Sequence, residues 1–153
     1  MKKTVLILIS AFALACSCSD KHENEYDGSG AVVLDTQNKV SSFSDENVAV
    51  LKITGDDITD LSGLRIRSVG TLVIRKTALT DISLPALESV TGDLTVEENS
   101  RLLSMTLLSS LNKVGGDLIV NNNPKLSSVA GLRDVKEISG DLVVTNNGSL
   151  GAD

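Results

Sequence analysis

Three regularly spaced aspartates are the residues of this chain best suited to metal chemistry. Asp93, Asp117 and Asp141 each follow a glycine, precede a Leu-x-Val triplet and lie 24 residues apart. On stacked strands about 4.8 Å apart, three carboxylates would supply the hard oxygen ligands that Ca²⁺ prefers. A calcium site needs roughly six to eight oxygens, however, and no loop here offers a rich set. Because Asp also bonds turn N–H groups, we predict a structural role, no metal site and no cofactor.

The sequence offers little for nucleophilic or acid–base catalysis. Its single histidine, His22, lies in a polar stretch, and there is no Ser-His pair or Gly-x-Ser-x-Gly motif. Gly28-Ser29-Gly30 lacks the third glycine of a nucleotide-binding loop. A β-helix enzyme acting on polysaccharide is a minor alternative. Such enzymes usually stack sugar rings on aromatic side chains, which are scarce here, with one Tyr, two Phe and no Trp. We therefore predict that the protein is not an enzyme.

The charge balance narrows the possible partners. The net charge is −6, and removal of Lys2 and Lys3 with an N-terminal segment would make it −6 − 2 = −8. Nucleic-acid binding requires a basic footprint against the phosphates, so we predict no nucleic-acid partner. The same balance disfavours electrostatic attachment to anionic lipid.

The N-terminus has the pattern of an export signal. Lys2 and Lys3 precede a run over residues 5–15 that is apolar apart from one serine and too short for a comfortable transmembrane helix. The run leads through small residues into Cys16 and Cys18, which resembles a bacterial lipobox with an acylated cysteine. We predict lipidation at one of the two, with Cys18 preferred; cleavage after Ala15 in an ordinary secreted protein is the alternative.

These features divide the first 30 residues into a lipoprotein signal peptide over residues 1–17 and a flexible acidic tether over residues 18–30. The acid-rich start of the tether is similar to surface-export signals of some Gram-negative lipoproteins. Neither candidate cysteine is followed directly by Asp. We therefore expect an outer-membrane lipid anchor and a position on the cell surface, with a periplasmic orientation left open.

An internal repeat fills the rest of the chain, residues 31–153. Leucines recur at steps of 21, 22, 24 and 24 residues, and a second apolar residue follows each two positions later. This alternation predicts one short strand per repeat with alternate side chains pointing inward. Repeats of this length predict a mainly β solenoid of about five coils. The leucine column comprises Leu51, Leu72, Leu94, Leu118 and Leu142.

Residues 31–46 fit a shorter first coil. Val32, Leu34, Val40 and Phe43 match the offsets of the apolar positions in later coils. We expect this coil, with a helical turn around residues 37–42, to cap the N-terminal end.

A polar column follows the strands, five residues after each leucine: Asp56, Thr77, Asn99, Asn123 and Asn147. Inside a turn, an Asn side chain can satisfy backbone N–H and C=O groups that the sheet leaves unpaired. We therefore predict a structural role for Asn99, Asn123 and Asn147.

The repeated motif resembles a leucine-rich repeat. It reads Gly-Asp-Leu-x-Val-x-x-Asn, and in one coil it runs into Asn-Asn-Pro-Lys-Leu at residues 122–126. It is closest to the receptor L domain and is also similar to leucine-rich surface lipoproteins of Gram-negative bacteria, over residues 47–150. The resemblance implies a right-handed solenoid and a recognition role without a named ligand. The disulfide-forming cysteines of eukaryotic L domains are missing, so the resemblance does not imply a receptor function.

The outward strand positions form two columns, and both are expected on an exposed sheet face. Solenoids bind partners on such faces, although β-branched residues also occupy them simply because they fit a pleated sheet. We predict ligand, host-protein or glycan recognition here, with Arg75 and Glu97 paired across strands. A structural or assembly role in the envelope is the alternative. The predicted binding residues are Val73, Arg75, Thr95, Glu97, Ile119, Asn121, Val143 and Thr145.

The last coil has no returning leg after Leu150. Leu142, Val144 and Leu150 would therefore have no layer above them, although solenoid ends need a polar cap. A truncated product, an imperfect cap and end-to-end pairing into a homodimer are the three possible explanations.

Overall fold

The computed structural model describes residues 30–150, and these form a stack of parallel strands. The predicted mainly β solenoid of about five coils is confirmed. The segments 1–29 and 151–153 lie outside the described residues. The predicted signal peptide, Cys16, Cys18 and nearly all of the tether therefore fall outside them as well.

The chain forms eleven strands, one short α-helix and one 3₁₀ turn within residues 30–150. The strands are β1 (Val32–Leu34), β2 (Asn47–Gly55), β3 (Ser68–Thr77), β4 (Asp81–Ser83), β5 (Ser89–Val90), β6 (Leu94–Glu97), β7 (Ser104–Leu107), β8 (Lys113–Val114), β9 (Leu118–Asn121), β10 (Glu137–Ile138) and β11 (Leu142–Thr145). The helix α1 spans Gln37–Ser42, and the 3₁₀ turn spans Ala130–Leu132.

The strand register follows the leucine column. In a ladder that runs β1-β2-β3-β6-β9-β11, Leu51 pairs with Leu72, Leu72 with Leu94, Leu94 with Leu118, and Leu118 with Leu142. Val32 of β1 joins the same column opposite Leu51. A one-residue slip would turn every inward side chain outward, so burial of the aliphatic face fixes this register.

The coils that follow the first contain more β-structure than the single short strand predicted. β2 and β3 are each continuous through a bend of the coil. In later coils the residues that pair with them form two separate strands. The first halves, β5, β8 and β10, continue a parallel ladder from β3. β4 and β7 pair separately as a second, two-stranded sheet. These short strands exist because neighbouring coils offer them partners.

The helix α1 forms at the predicted position and belongs to the first coil. Thr36 caps it, since its hydroxyl accepts the Lys39 N–H at 3.3 Å. The side chain of Gln37 then accepts the N–H groups of Thr59 and Asp60 at 2.8 and 3.1 Å, which fastens the helix to the second coil. Val40 on its inner face is buried.

The core is a column of aliphatic layers. The inward strand residues Leu51, Leu72, Leu94 and Leu118 are each at most 1% exposed. Phe43, 6% exposed, is an aromatic side chain in the core and lies in the first coil. The apolar residues at the N-terminal end are thus covered. At the other end of the described residues, Leu142 is 59% exposed and Val144 is 42% exposed.

Candidate functional site

The strand pairing brings the outward residues into two columns on one face of the sheet. Lys52, Val73, Thr95, Ile119 and Val143 align in the first, and Thr54, Arg75, Glu97, Asn121 and Thr145 in the second. Outward positions alternate with the buried leucine and valine positions along each strand. Their side chains therefore point away from the aliphatic core.

This face is not flat over the first coils. A groove of about 540 Å³ crosses β1, β2, β3 and β6. It takes in four of the eight predicted binding residues, Val73, Arg75, Thr95 and Glu97. The other four lie on the same columns, outside the groove lining. The lining comprises Val33, Lys52, Thr54, Val73, Arg75, Thr95 and Glu97.

Lys52 and Thr54 belong to the two outward columns that the sequence predicts for the exposed face, although they were not among the predicted binding residues. Val33 was not predicted on this face. It could have been found from the repeat alone, because it occupies the outward offset of the first coil opposite Lys52. The structure shows that the first coil both closes the core and extends the outward face.

The groove combines apolar, hydroxyl and charged side chains. Val33 and Val73 contribute branched aliphatic surface, whereas Thr54 and Thr95 contribute hydroxyls. Among the described residues, the charged side chains of the lining are Lys52, Arg75 and Glu97.

The predicted pair is present in this groove, with Arg75 Nη1 3.6 Å from Glu97 Oε1. The Arg75 side chain is 45% exposed and that of Glu97 27%, so the ion pair contributes at most about 1 kcal/mol to stability. A ligand can therefore separate the pair at small cost.

A second, smaller depression of about 260 Å³ lies at the turns that follow the strands. Lys76 and Glu98 line it and form an ion pair at 3.5 Å. Both residues have positive φ, 51° and 56°, as do Asn122 and Asn146 at the equivalent positions. The left-handed residue directly follows β6, β9 and β11 and is the penultimate residue of β3. In each case it directs the chain into the turn that carries the polar column.

The asparagine column forms a hydrogen-bonded ladder inside these turns. The Asn99 Oδ1 accepts the Thr77 N–H at 3.1 Å, and the Asn123 Oδ1 accepts the Asn99 N–H at 3.0 Å. The Nδ2 groups of both asparagines donate to strand carbonyls of the preceding coil, those of Ile74 and Val96, at 3.1 Å. Both side chains are 0% exposed. This geometry gives the asparagines a backbone-satisfying role.

Asp56 does not join this ladder, contrary to its place in the predicted column. The register shifts after Thr54, so that Gly55 rather than Asp56 lies opposite Thr77. Asp56 is exposed, and Asp57 instead accepts the Gln37 N–H at 3.0 Å.

The aspartate column also forms a ladder between coils. The Asp93 Oδ1 accepts the Asp117 N–H at 2.9 Å, and the Asp117 Oδ1 accepts the Asp141 N–H at 2.8 Å. The glycine before each aspartate leaves space for the carboxylate of the preceding coil. A Cβ at Gly116, for example, would collide with the Asp93 carboxylate. Within residues 30–150 no group of three or more His, Cys, Asp or Glu side chains could hold a metal ion.

Comparisons with known proteins add no relative. No protein-family model matches the chain, and no curated protein and no solved structure matches it significantly. None of the helices within the described part of the chain is long and apolar enough to cross a membrane.

Proposed function

We propose that this chain is a non-catalytic recognition module that binds a protein or glycan ligand through the outward face of its sheet. The observation that carries the proposal is the groove of about 540 Å³ on that face, built from strands of successive coils. Binding sites are typically concave, mainly apolar and equipped with a few well-placed polar groups. The groove has branched aliphatic, hydroxyl and charged side chains in one place.

The inward and outward residues of each strand have different roles, which supports this proposal. The inward leucines and valines and the two ladders account for the fold, whereas Val73 and Thr95 point away from it while lying in the groove. The resemblance of the repeat to leucine-rich and receptor L domains favours recognition as well.

A catalytic role has less support from the same groove. Among the described residues, 30–150, Glu97 is the one carboxylate that lines the groove, and Arg75 already engages it. Glycoside hydrolysis ordinarily requires two carboxylates that flank the scissile bond. We therefore keep a polysaccharide-acting enzyme as the minor alternative.

The location is part of the proposal. The basic start, the short apolar run and the small residues before Cys16 and Cys18 favour a lipid-anchored protein of the outer membrane. The acidic tether would hold the solenoid off the bilayer, with its sheet face presented at the cell surface. Labelling intact cells with a membrane-impermeant reagent checks this orientation, because a periplasm-facing protein would stay unlabelled.

The binding proposal is tested by screening the full-length chain on arrays of glycans and secreted proteins, followed by titration of each hit against variants. Val73→Glu places a charge on the aliphatic lining and should weaken binding at least about tenfold, equivalent to about 1.4 kcal/mol. Leu103→Asp is the matched control, since Leu103 is 48% exposed and does not line the groove. Circular dichroism should be unchanged in both variants.

Equal affinity of Val73→Glu and wild type for every hit would remove the groove as the binding site. A structural or assembly role in the envelope would then be favoured.

A further inference from the structure

Two cationic side chains lie close together in the groove, on adjacent strands. Lys52 of β2 pairs with Val73 of β3, and Arg75 follows Val73 by two residues. One strand spacing of about 4.8 Å and two residues of about 3.3 Å each place the Cα atoms of Lys52 and Arg75 about 8 Å apart. Both side chains line the groove and are long enough to reach one group between them. An anionic group bound there would contact an ammonium and a guanidinium at the same time.

Arg75 keeps its guanidinium accessible to such a group. Its Nη1 lies 3.6 Å from the Glu97 Oε1, beyond the roughly 2.7–2.9 Å of a strong charge-assisted hydrogen bond. The Arg75 side chain is also 45% exposed. An anionic ligand can therefore replace Glu97 as the partner of the guanidinium. Because a planar guanidinium binds a carboxylate through two parallel N–H···O bonds, a carboxylate suits this position.

We propose that the ligand of the groove is a glycan that carries carboxylate groups, with one carboxylate held between Lys52 and Arg75. This inference rests on the proposed recognition function of the groove and names the class of its ligand. Charge complementarity selects an acidic ligand. The other side chains of the groove and its direction on the sheet favour a sugar chain over a peptide.

The other side chains of the lining suit a sugar ring. Val33 and Val73 are half-buried and offer aliphatic surface to the C–H groups of a ring. Thr54 and Thr95 have hydroxyls that can both donate to and accept from sugar hydroxyls. Recognition of this kind depends on ion pairing and hydrogen bonds, so it does not require aromatic side chains that stack on the sugar.

The direction of the groove disfavours an acidic peptide. The column of Val33, Lys52, Val73 and Thr95 crosses four strands, or about 14 Å at three spacings of about 4.8 Å. Along each strand the lining extends over about 7 Å, the distance between the two outward columns. A ligand that fills the groove therefore lies along the stack. An extended peptide in that direction would present side chains to the groove about every 6.8 Å, out of step with columns that repeat about every 4.8 Å.

The acidity of the whole chain limits how densely charged the ligand can be. The net charge is −6, so a polyanion with closely spaced charges is repelled by the protein as a whole. Carboxylates spaced further apart than the screening length of about 8 Å interact with the cationic pair one at a time. The charge balance therefore favours a glycan with isolated carboxylates over a densely sulfated one.

The test measures binding of the full-length chain, kept in mild detergent, by isothermal titration calorimetry. The probes are sialyllactose and a hyaluronan tetrasaccharide, which carry isolated carboxylates. Each is compared with its methyl ester, which keeps the sugar and removes the charge, and a heparin tetrasaccharide is the densely sulfated comparison. At least one carboxylated probe should bind, and its methyl ester should bind at least about tenfold more weakly because a charge-assisted contact is lost.

Three substitutions in the groove assign the contact. Arg75→Gln and Lys52→Gln should each weaken binding of the carboxylated probe at least about tenfold and should have little effect on its methyl ester. Glu97→Gln should strengthen binding, because it removes the carboxylate that competes for Arg75. Lys113→Gln is the matched control and should leave the affinity unchanged. It removes one positive charge from an exposed ion pair with Glu137, outside the groove lining.

Several results would overturn the assignment of an acidic glycan. They are a lack of binding by both carboxylated probes, equal affinity for a probe and its methyl ester, and tighter binding of the heparin tetrasaccharide. Undiminished affinity of Arg75→Gln or weaker binding by Glu97→Gln would overturn it as well. The proposed recognition function fails separately, since it stands if other hits from the arrays lose affinity in Val73→Glu, whatever the result with the acidic probes.

Discussion

Removal of one asparagine from the ladder provides the sharpest test of how the coils are held together. The Asn123 side chain is 0% exposed and lies midway between Asn99 and Asn147. Its Oδ1 accepts the Asn99 N–H at 3.0 Å, and its Nδ2 donates to the Val96 carbonyl at 3.1 Å. The Oδ1 also accepts the Asn99 Nδ2 at 3.2 Å, and the Nδ2 also donates to the Asn121 carbonyl at 3.0 Å and to the Asn147 Oδ1 at 3.1 Å. Asn123→Ala removes all of these side-chain bonds.

The expected loss follows mainly from the Asn99 N–H and the Val96 carbonyl, which both lose the Asn123 side chain as a partner. The Asn99 N–H and the Val96 carbonyl would remain beside a cavity, and each buried unsatisfied group costs roughly 1–3 kcal/mol. We therefore expect Asn123→Ala to lower the free energy of unfolding by about 2–6 kcal/mol. That is a large fraction of the roughly 5–15 kcal/mol typical of a domain.

A second substitution separates hydrogen bonding from volume. Asn123→Asp keeps the shape and the acceptor but replaces the donor that faces the Val96 carbonyl. Burial and that carbonyl should raise the pKa of the new carboxyl above its unfolded value. Since the unfolded state then ionises more readily, the variant should be most destabilised at neutral pH and should recover part of its stability as the pH falls through the raised pKa.

The assay is urea unfolding followed by circular dichroism, with Asn147→Ala as the control. Asn147 ends the ladder and is only partly buried, so its loss should cost less than that of Asn123. A value for Asn123→Ala within about 1 kcal/mol of wild type would refute the reasoning, because buried polar groups would then be satisfied in some other way.

Two further predictions concern single turns. Asn122 has φ 54°, so Asn122→Gly should leave the free energy of unfolding nearly unchanged. Asn122→Ala should lower it by roughly 1 kcal/mol, as measured by urea titration. Equal stability of the two variants would contradict the requirement for a left-handed residue here. The N–H and then the hydroxyl of Ser62 lower the pKa of Asp60 below its usual 3.8. A lowered folded pKa stabilises the protein above the unfolded pKa, so the stability lost in Asp60→Ala should be greatest at neutral pH and should vanish as the pH falls through the folded pKa. A difference that persists unchanged in acid would contradict this assignment.

The sequence was sufficient to predict the register because inward leucines mark every coil. Pairing of Leu72 with both Leu51 and Leu94 follows from their spacing alone once parallel stacking is assumed. The helix at residues 37–42 was likewise predictable, since Thr36 is a good cap and the first coil has no room for a full repeat.

The parts that could not be predicted depend on contacts between coils. β5 and β8 are two residues each, too short for any alternation to be visible. β5 forms because β3 offers its edge, and β8 forms because β5 offers its own. The displacement of Asp56 depends on the left-handed Lys76, a conformation that a lysine does not signal.

The groove was also only half predictable, for a geometric reason. Sequence alternation shows which residues point outward, but it does not show how the face curves across successive strands. Val33 entered the groove because the first coil aligns fully with the second, with Val32, Val33 and Leu34 all paired.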